Sequence, residues 1–151
     1  MTTARFLPLI LFLVLACAET APPPPLNEMQ QGRIVAQVLA VRTDTGILIA
    51  RLYHGADGFS SDPEKAYREA KFKIRDGKAV VTFADVPYGE YAIWIHHDED
   101  EDGELKSNFI GMPKEGVGVS GPPPSFIPTY KDARFELNAP EYALEISLRY
   151  L

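Results

Sequence analysis

The sequence predicts an all-β fold, an antiparallel Greek-key sandwich of about seven strands with one short surface helix. From residue 33 onward, β-branched and aliphatic runs alternate with clusters of Gly, Asp, Asn and Pro, which is the rhythm of short strands and turns. The closing run alternates strictly, with Tyr142, Leu144, Ile146, Leu148 and Tyr150 set between Ala143, Glu145, Ser147 and Arg149. That period of two places one face on a core and the other in water. A helix start signal stands out at a single stretch.

RIVAQVLAV (33–41) and ILIARLYH (47–54) form the first two strands, parted by the turn-rich RTDTG. In SSDPEKAYREA, Ser61 precedes Glu64 at capping-box spacing and Pro63 falls in the first turn, so a short surface helix is expected there. FKIR and KAVVTF flank Asp76-Gly77, a dipeptide strongly preferred in two-residue hairpin turns. YGEYAIWIHH (88–97) follows Pro87, which suits the start of a strand rather than its middle. DARFELN and EYALEISLRYL are expected to close the fold as a hairpin. The longest unpatterned stretch is 98–131, and loops of that length in a compact domain are functional or disordered. Phe109, Phe126 and Tyr130 are expected to pack parts of it down.

The N-terminus does not belong to this pattern. Residues 1–16 combine one positive charge (Arg5), an apolar run from Phe6 to Ala16 and small residues near its end, the build of a secretory signal. The only cysteine, Cys17, ends that run in VLAC, which resembles the bacterial lipobox. The resemblance implies cleavage before Cys17, lipidation of its thiol and a membrane partner reached through the acyl chains. Ala18 after the Cys favours the outer membrane by the lipoprotein sorting pattern. The alternative is an ordinary signal peptide and a soluble periplasmic protein. Residues 17–32 then form a lipidated Cys and Pro-rich tether, with four consecutive prolines favouring an extended spacer. The single β-sandwich domain is expected over 33–151.

Without residues 1–16 the chain carries 14 basic and 21 acidic residues, a net charge of −7. The stretch 96–108, HHDEDEDGELKSN, supplies −5 of it. The remainder is close to neutral, which excludes nucleic acid as a partner because phosphate binding needs clustered Lys and Arg.

Within that stretch, Asp98, Asp100 and Asp102 alternate and Gly103 follows. D-x-D-x-D-G sets three hard oxygen ligands at loop positions 1, 3 and 5, and the glycine permits the turn that brings the Glu104 backbone carbonyl onto the same ion. Leu105 is positioned to drop into the core beneath. The chemistry matches Ca²⁺, which takes six to eight oxygens in flexible geometry. Position 12 is Phe109 rather than a bidentate Glu, and position 9 is the cationic Lys106. The missing ligands are therefore expected from Asn108 or Glu115, with weak affinity of about 0.1–1 mM. The alternative is a solvated acidic loop with no specific ligand. His96 and His97 are neighbours on a strand and point to opposite faces, so they do not converge on one ion. One is expected to pack inward with a hydrogen bond and the other to edge the loop. No catalytic residues are assigned: there is no G-x-S-x-G, and the loop carboxylates are crowded with no apolar pocket to separate their pKa values.

VPYGEYAIWIHHDEDEDGELKSNFIGMPKEGVGVS resembles the signature of a bacterial secreted family, domain of unknown function 2141. Its P-x-G-x-Y-A segment corresponds to Pro87, Gly89, Tyr91 and Ala92. Its H-D-x-N-x-N-G loop corresponds to His97, Asp98, Asp100, Asp102 and Gly103, with Asp here in place of Asn. Its G-x-P-x-E-x-x-G-x-S segment corresponds to Gly111, Pro113, Glu115, Gly118 and Ser120. The resemblance covers nearly all of residues 32–151 and implies a secreted β-sandwich akin to transthyretin-like or immunoglobulin-like modules, with no established activity. The expected function is thus a cell-envelope lipoprotein displaying a binding or structural module with a Ca²⁺ loop. A metal-dependent hydrolase using His97 and the loop carboxylates is the alternative. The residues name no protein or glycan partner.

Overall fold

The computed structural model describes residues 30–109, 113–122 and 128–150. The expected signal segment, Cys17, the four-proline run of the tether and Phe126 lie outside the described residues.

Among the described residues, eight strands form two packed sheets, as an all-β sandwich requires. The smaller sheet has the order β4-β1-β8, built from β1 (Gln31–Leu39), β4 (Ala79–Pro87) and β8 (Glu141–Ser147). The larger has β2 (Ile47–Tyr53), β3 (Arg68–Lys73), β5 (Gly89–Asp98), β6 (Gly116–Val119) and β7 (Phe135–Leu137). Its order is β3-β2-β5-β6, with β7 also paired to β5.

The alternating runs explain the layering. In β1, Ile34, Ala36 and Val38 are fully buried, while the residues between them face outward. They meet Leu48, Leu52, Ile93 and Ile95 of the larger sheet in one inter-sheet core, joined by Val81, Phe83 and Ile146. Each large aliphatic side chain sealed there contributes about 1.5–3 kcal/mol of transfer free energy. Strand β5 behaves differently, since every residue from Tyr91 to Asp98 is buried. Its odd positions join the inter-sheet core. Ala92 and Trp94 point the other way, into a second cluster with Tyr53, Phe59, Val119 and Ala133. Loops therefore cover the outer face of the larger sheet.

Four expectations change. The strands around Asp76-Gly77 do form a tight turn, with φ of 53° and 67° and an Arg75–Lys78 bridge. However, β3 and β4 belong to different sheets, so the turn is a corner between layers and not the tip of a ladder. The closing pair is no hairpin either, because β7 adds to β5 while β8 runs parallel to β1. A parallel partner has no short-range turn signature, which is why local patterning missed it. The expected helix shrinks to a single 3₁₀ turn, Pro63–Lys65, capped by Asp62 and not Ser61; Arg68 onward is strand, where β2 supplies hydrogen bonds that outweigh helix propensity. Finally, β1 starts at Gln31, so residues 31–32 belong to the sandwich rather than the tether. A Cβ on Gly32 would lie 3.1 Å from the Pro140 carbonyl oxygen, and the bare glycine permits that approach.

Candidate metal centre at the acidic loop

Strand β5 delivers the site. Because side chains alternate, His97 faces the inter-sheet core while His96 and Asp98 face the loops outside. Both histidines are fully buried, so neither edges the loop as expected. A buried strand end cannot leave polar atoms unpaired without cost, and the surrounding loops supply partners.

His97 is locked from both sides. Its Nε2 lies 2.8 Å from the Thr45 carbonyl oxygen and its Nδ1 lies 2.7 Å from the Tyr150 hydroxyl. A carbonyl only accepts, so the proton sits on Nε2 and the Tyr150 O–H donates to Nδ1. The Tyr150 oxygen in turn accepts the Arg42 backbone N–H at 3.1 Å. The Arg42 guanidinium sits 4.4 Å from the Tyr150 ring centroid and grips Glu99 with two hydrogen bonds of 2.7 and 2.5 Å. The bidentate grip of Arg42 holds the Glu99 carboxyl below its usual range. Arg42, Tyr150 and Glu99 thereby strap the end of β5 to the β1–β2 connection.

On the other face, Glu115 ties the loop's two ends together. Its Oε2 accepts from His96 Nε2 at 3.0 Å and from the Lys106 backbone N–H at 3.1 Å. Its Oε1 accepts from the Glu99 N–H at 3.2 Å. Burial pushes this carboxyl up, but the His96 and backbone hydrogen bonds outweigh it and leave it below the usual carboxylate range. Glu115, expected as a candidate ligand, uses its oxygens here to hold loop and strand in place, and the carboxylates that converge in the loop are those of the three aspartates. Lys106 and Lys114 also pair, through Lys114 N–H to Lys106 carbonyl at 2.8 Å.

Between these anchors the loop curls on itself. Asp98 Oδ2 accepts from the Gly103 N–H at 2.9 Å, so the first loop position reaches the sixth. Asp102 Oδ1 accepts from Glu104 N–H at 2.9 Å. Gly103 has φ of +81°, the left-handed turn for which a glycine was expected. Leu105 packs on the outer cluster, as expected. Phe109 does not pack down, being 99% exposed, whereas Tyr130 does, with its ring 5.8 Å from Phe59. Oxygens of Asp98, Asp100 and Asp102 converge within 4.8 Å of one another. Glu104 is exposed outside that group, and Asn108 is half-buried beside Phe109.

Two buried side-chain atoms among the described residues have no hydrogen-bond partner, and both lie on this face of β5: His96 Nδ1 and Asp98 Oδ1. The second is on Asp98, whose carboxylate is one of the three that converge. An unpaired carboxylate oxygen sealed from water is costly unless something positive reaches it.

A family model described as an uncharacterized protein conserved in bacteria (DUF2141) matches residues 36–144. The chain belongs to this family. In this DUF2141 chain the matched stretch contains the acidic loop, both neighbouring histidines and Glu115. It ends before Tyr150, so the Tyr150–His97 bond lies partly outside it. No curated protein and no solved structure matches the chain.

Sequence reasoning did not find the strap of Arg42, Thr45 and Tyr150, which comes from residues far apart in the chain. It marked Ser120 only as part of the family segment and did not read its role: the buried hydroxyl donates to the Ala133 carbonyl at 2.6 Å and accepts the Ile93 N–H at 2.8 Å. Ser120 thereby pins the short helix α1 (Tyr130–Ala133) over the outer cluster. The alternation of Tyr150 marked it as core-facing, but no local signal names its partner.

Proposed function

We propose that this protein is an envelope-displayed β-sandwich whose acidic loop binds a divalent cation, with Ca²⁺ the best match. One observation carries the reading: Asp98 Oδ1 is buried and unpartnered while oxygens of Asp100 and Asp102 stand within 4.8 Å of the Asp98 ligand atom. All donors in the group are hard carboxylate oxygens, which favours Ca²⁺ over soft-ligand metals. What favours this reading over a hydrolase using His97 is that His97 lies on the opposite face of β5 from the aspartates and is hydrogen-bonded through both ring nitrogens. The chemical role of the ion is structural: it draws the Asp98–Asp102 turn together and neutralises charges that repel by about 1 kcal/mol per close pair even in water-like dielectric.

Binding to the folded state alone stabilises it by about 1.4 kcal/mol at tenfold excess over the dissociation constant. Millimolar Ca²⁺ is expected to raise the melting temperature by about 5 °C, Mg²⁺ by less, and Asp98→Asn to remove the response. NaCl at matched ionic strength controls for screening. If NaCl reproduces the Ca²⁺ effect, the loop has no site.

The same reading places the sandwich on a membrane through lipid on Cys17, motivated by VLAC after the apolar run and by the proline tether. Cys17→Ser is expected to move the protein from the membrane pellet to the soluble fraction. Unchanged sedimentation would refute lipidation.

A further inference from the structure

The loop already holds one cation of its own. Lys106 Nζ lies 2.9 Å from Asp102 Oδ2 and also pairs with Asp100 Oδ2. Those are two of the three carboxylates that converge at the loop, the third being Asp98. We propose that Lys106 is an internal counterion that closes the site while no metal is bound, and that a divalent cation enters by displacing it. The inference rests on the cation-binding reading above and adds how occupancy is controlled.

The geometry of the loop separates what is fixed at Lys106 from what is free to move. The backbone is held at both groups: its N–H donates to Glu115 and its carbonyl accepts from Lys114. The side chain is 45% exposed, so the ammonium can swing into water without unmaking the loop. An exposed ion pair is weak, which makes it a displaceable plug rather than a permanent one.

The unpartnered oxygen supplies the independent observation. The ammonium neutralises the two outer carboxylates but leaves Asp98 Oδ1 buried with no partner. A compact monovalent group on a side chain therefore completes only part of the cluster. A divalent ion that takes six to eight oxygens can engage all three aspartates together. Ion and ammonium compete for the same two carboxylates, Asp100 and Asp102, so they exclude one another. The competition lowers apparent affinity and selects against Na⁺ and K⁺, which offer those oxygens no more charge than Lys106 does.

The test is calorimetric titration of the full chain with CaCl₂, comparing wild type with Lys106→Met, Lys106→Arg and Lys131→Met. Lys106→Met keeps the methylenes and removes the charge, and is expected to bind Ca²⁺ roughly three- to tenfold more tightly. Lys106→Arg, which keeps the plug, is expected to stay near wild type. Lys131→Met alters net charge equally but sits on α1, and controls for long-range electrostatics. Binding by Lys106→Met where wild type shows none also supports the plug. Equal or weaker binding by Lys106→Met than by a binding-competent wild type overturns the plug and leaves the site standing. An identical gain in Lys131→Met reduces the effect to net charge and overturns it too. Absence of binding in both wild type and Lys106→Met overturns the site itself, and the plug with it. Circular dichroism of each variant confirms that the comparison is between folded proteins.

Discussion

Glu115→Ala is expected to cost about 3 kcal/mol or more, lowering the melting temperature by roughly 10 °C. Three donors lose their acceptor at once: the His96 ring and the backbone N–H groups of Glu99 and Lys106. Glu115 is only 4% exposed, so little water stands ready to replace it. Because Glu99 and Lys106 bracket Asp100 and Asp102, their release also opens the loop, and the Ca²⁺ response should fall with the stability. The folded carboxyl of Glu115 lies below its ordinary value. Its stabilisation is therefore complete above the unfolded carboxyl pKa and is lost as pH falls through the lower folded one. Calorimetric melts between neutral and acid pH should show wild type losing this increment while Glu115→Ala has none left to lose. A variant that melts within a degree or two of wild type would refute the strut.

Gly46→Ala is expected to destabilise comparably, by about 3 kcal/mol, from backbone strain and overlap together. Gly46 has φ of +78°, and an added Cβ would collide with the Asp98 carbonyl oxygen and lie 2.7 Å from the Glu99 Cα. Both obstacles are backbone, so neither can rotate away. The β1–β2 connection must come this close because Ile47 pairs with Asp98 in the ladder. Gly103 separates the two causes. It is also left-handed, with φ of +81°, yet a Cβ there meets nothing within 4 Å. Gly103→Ala should therefore cost only about 1 kcal/mol, the conformational part alone. Equilibrium denaturation of both variants decides the matter, and equal losses would mean that the contact with Asp98 carries no weight.

Much of this molecule is legible in one dimension. Period-two alternation in the closing run set Tyr142, Leu144, Ile146 and Leu148 on one inner face, and all four lie in or against the inter-sheet core. The D-x-D-x-D-G spacing anticipated both the turn at Gly103 and the convergence of three carboxylates, because those relations span six residues and depend on local backbone geometry. The same locality explains the misses. Asp76-Gly77 dictates a tight reversal, but whether the two arms share a sheet depends on what each meets across the core. Lys106 read as a charge against metal binding; in three dimensions its ammonium reaches back to pair with Asp100 and Asp102.

The sequence alone settled period, turn chemistry and the placing of charge, since each arises from neighbours along the chain. Partnership was decided only in the folded state. Glu115, legible in the sequence only as a candidate ligand, is tied in the fold to His96 and to the backbone N–H groups of Glu99 and Lys106. The partners of the two His97 nitrogens, Thr45 and Tyr150, lie 52 and 53 residues away in the chain. The parallel pairing of β1 with β8 joins the two ends of the domain. Such contacts are chosen by competition among all buried polar groups and all open strand edges at once, and that competition has no signature in any single segment.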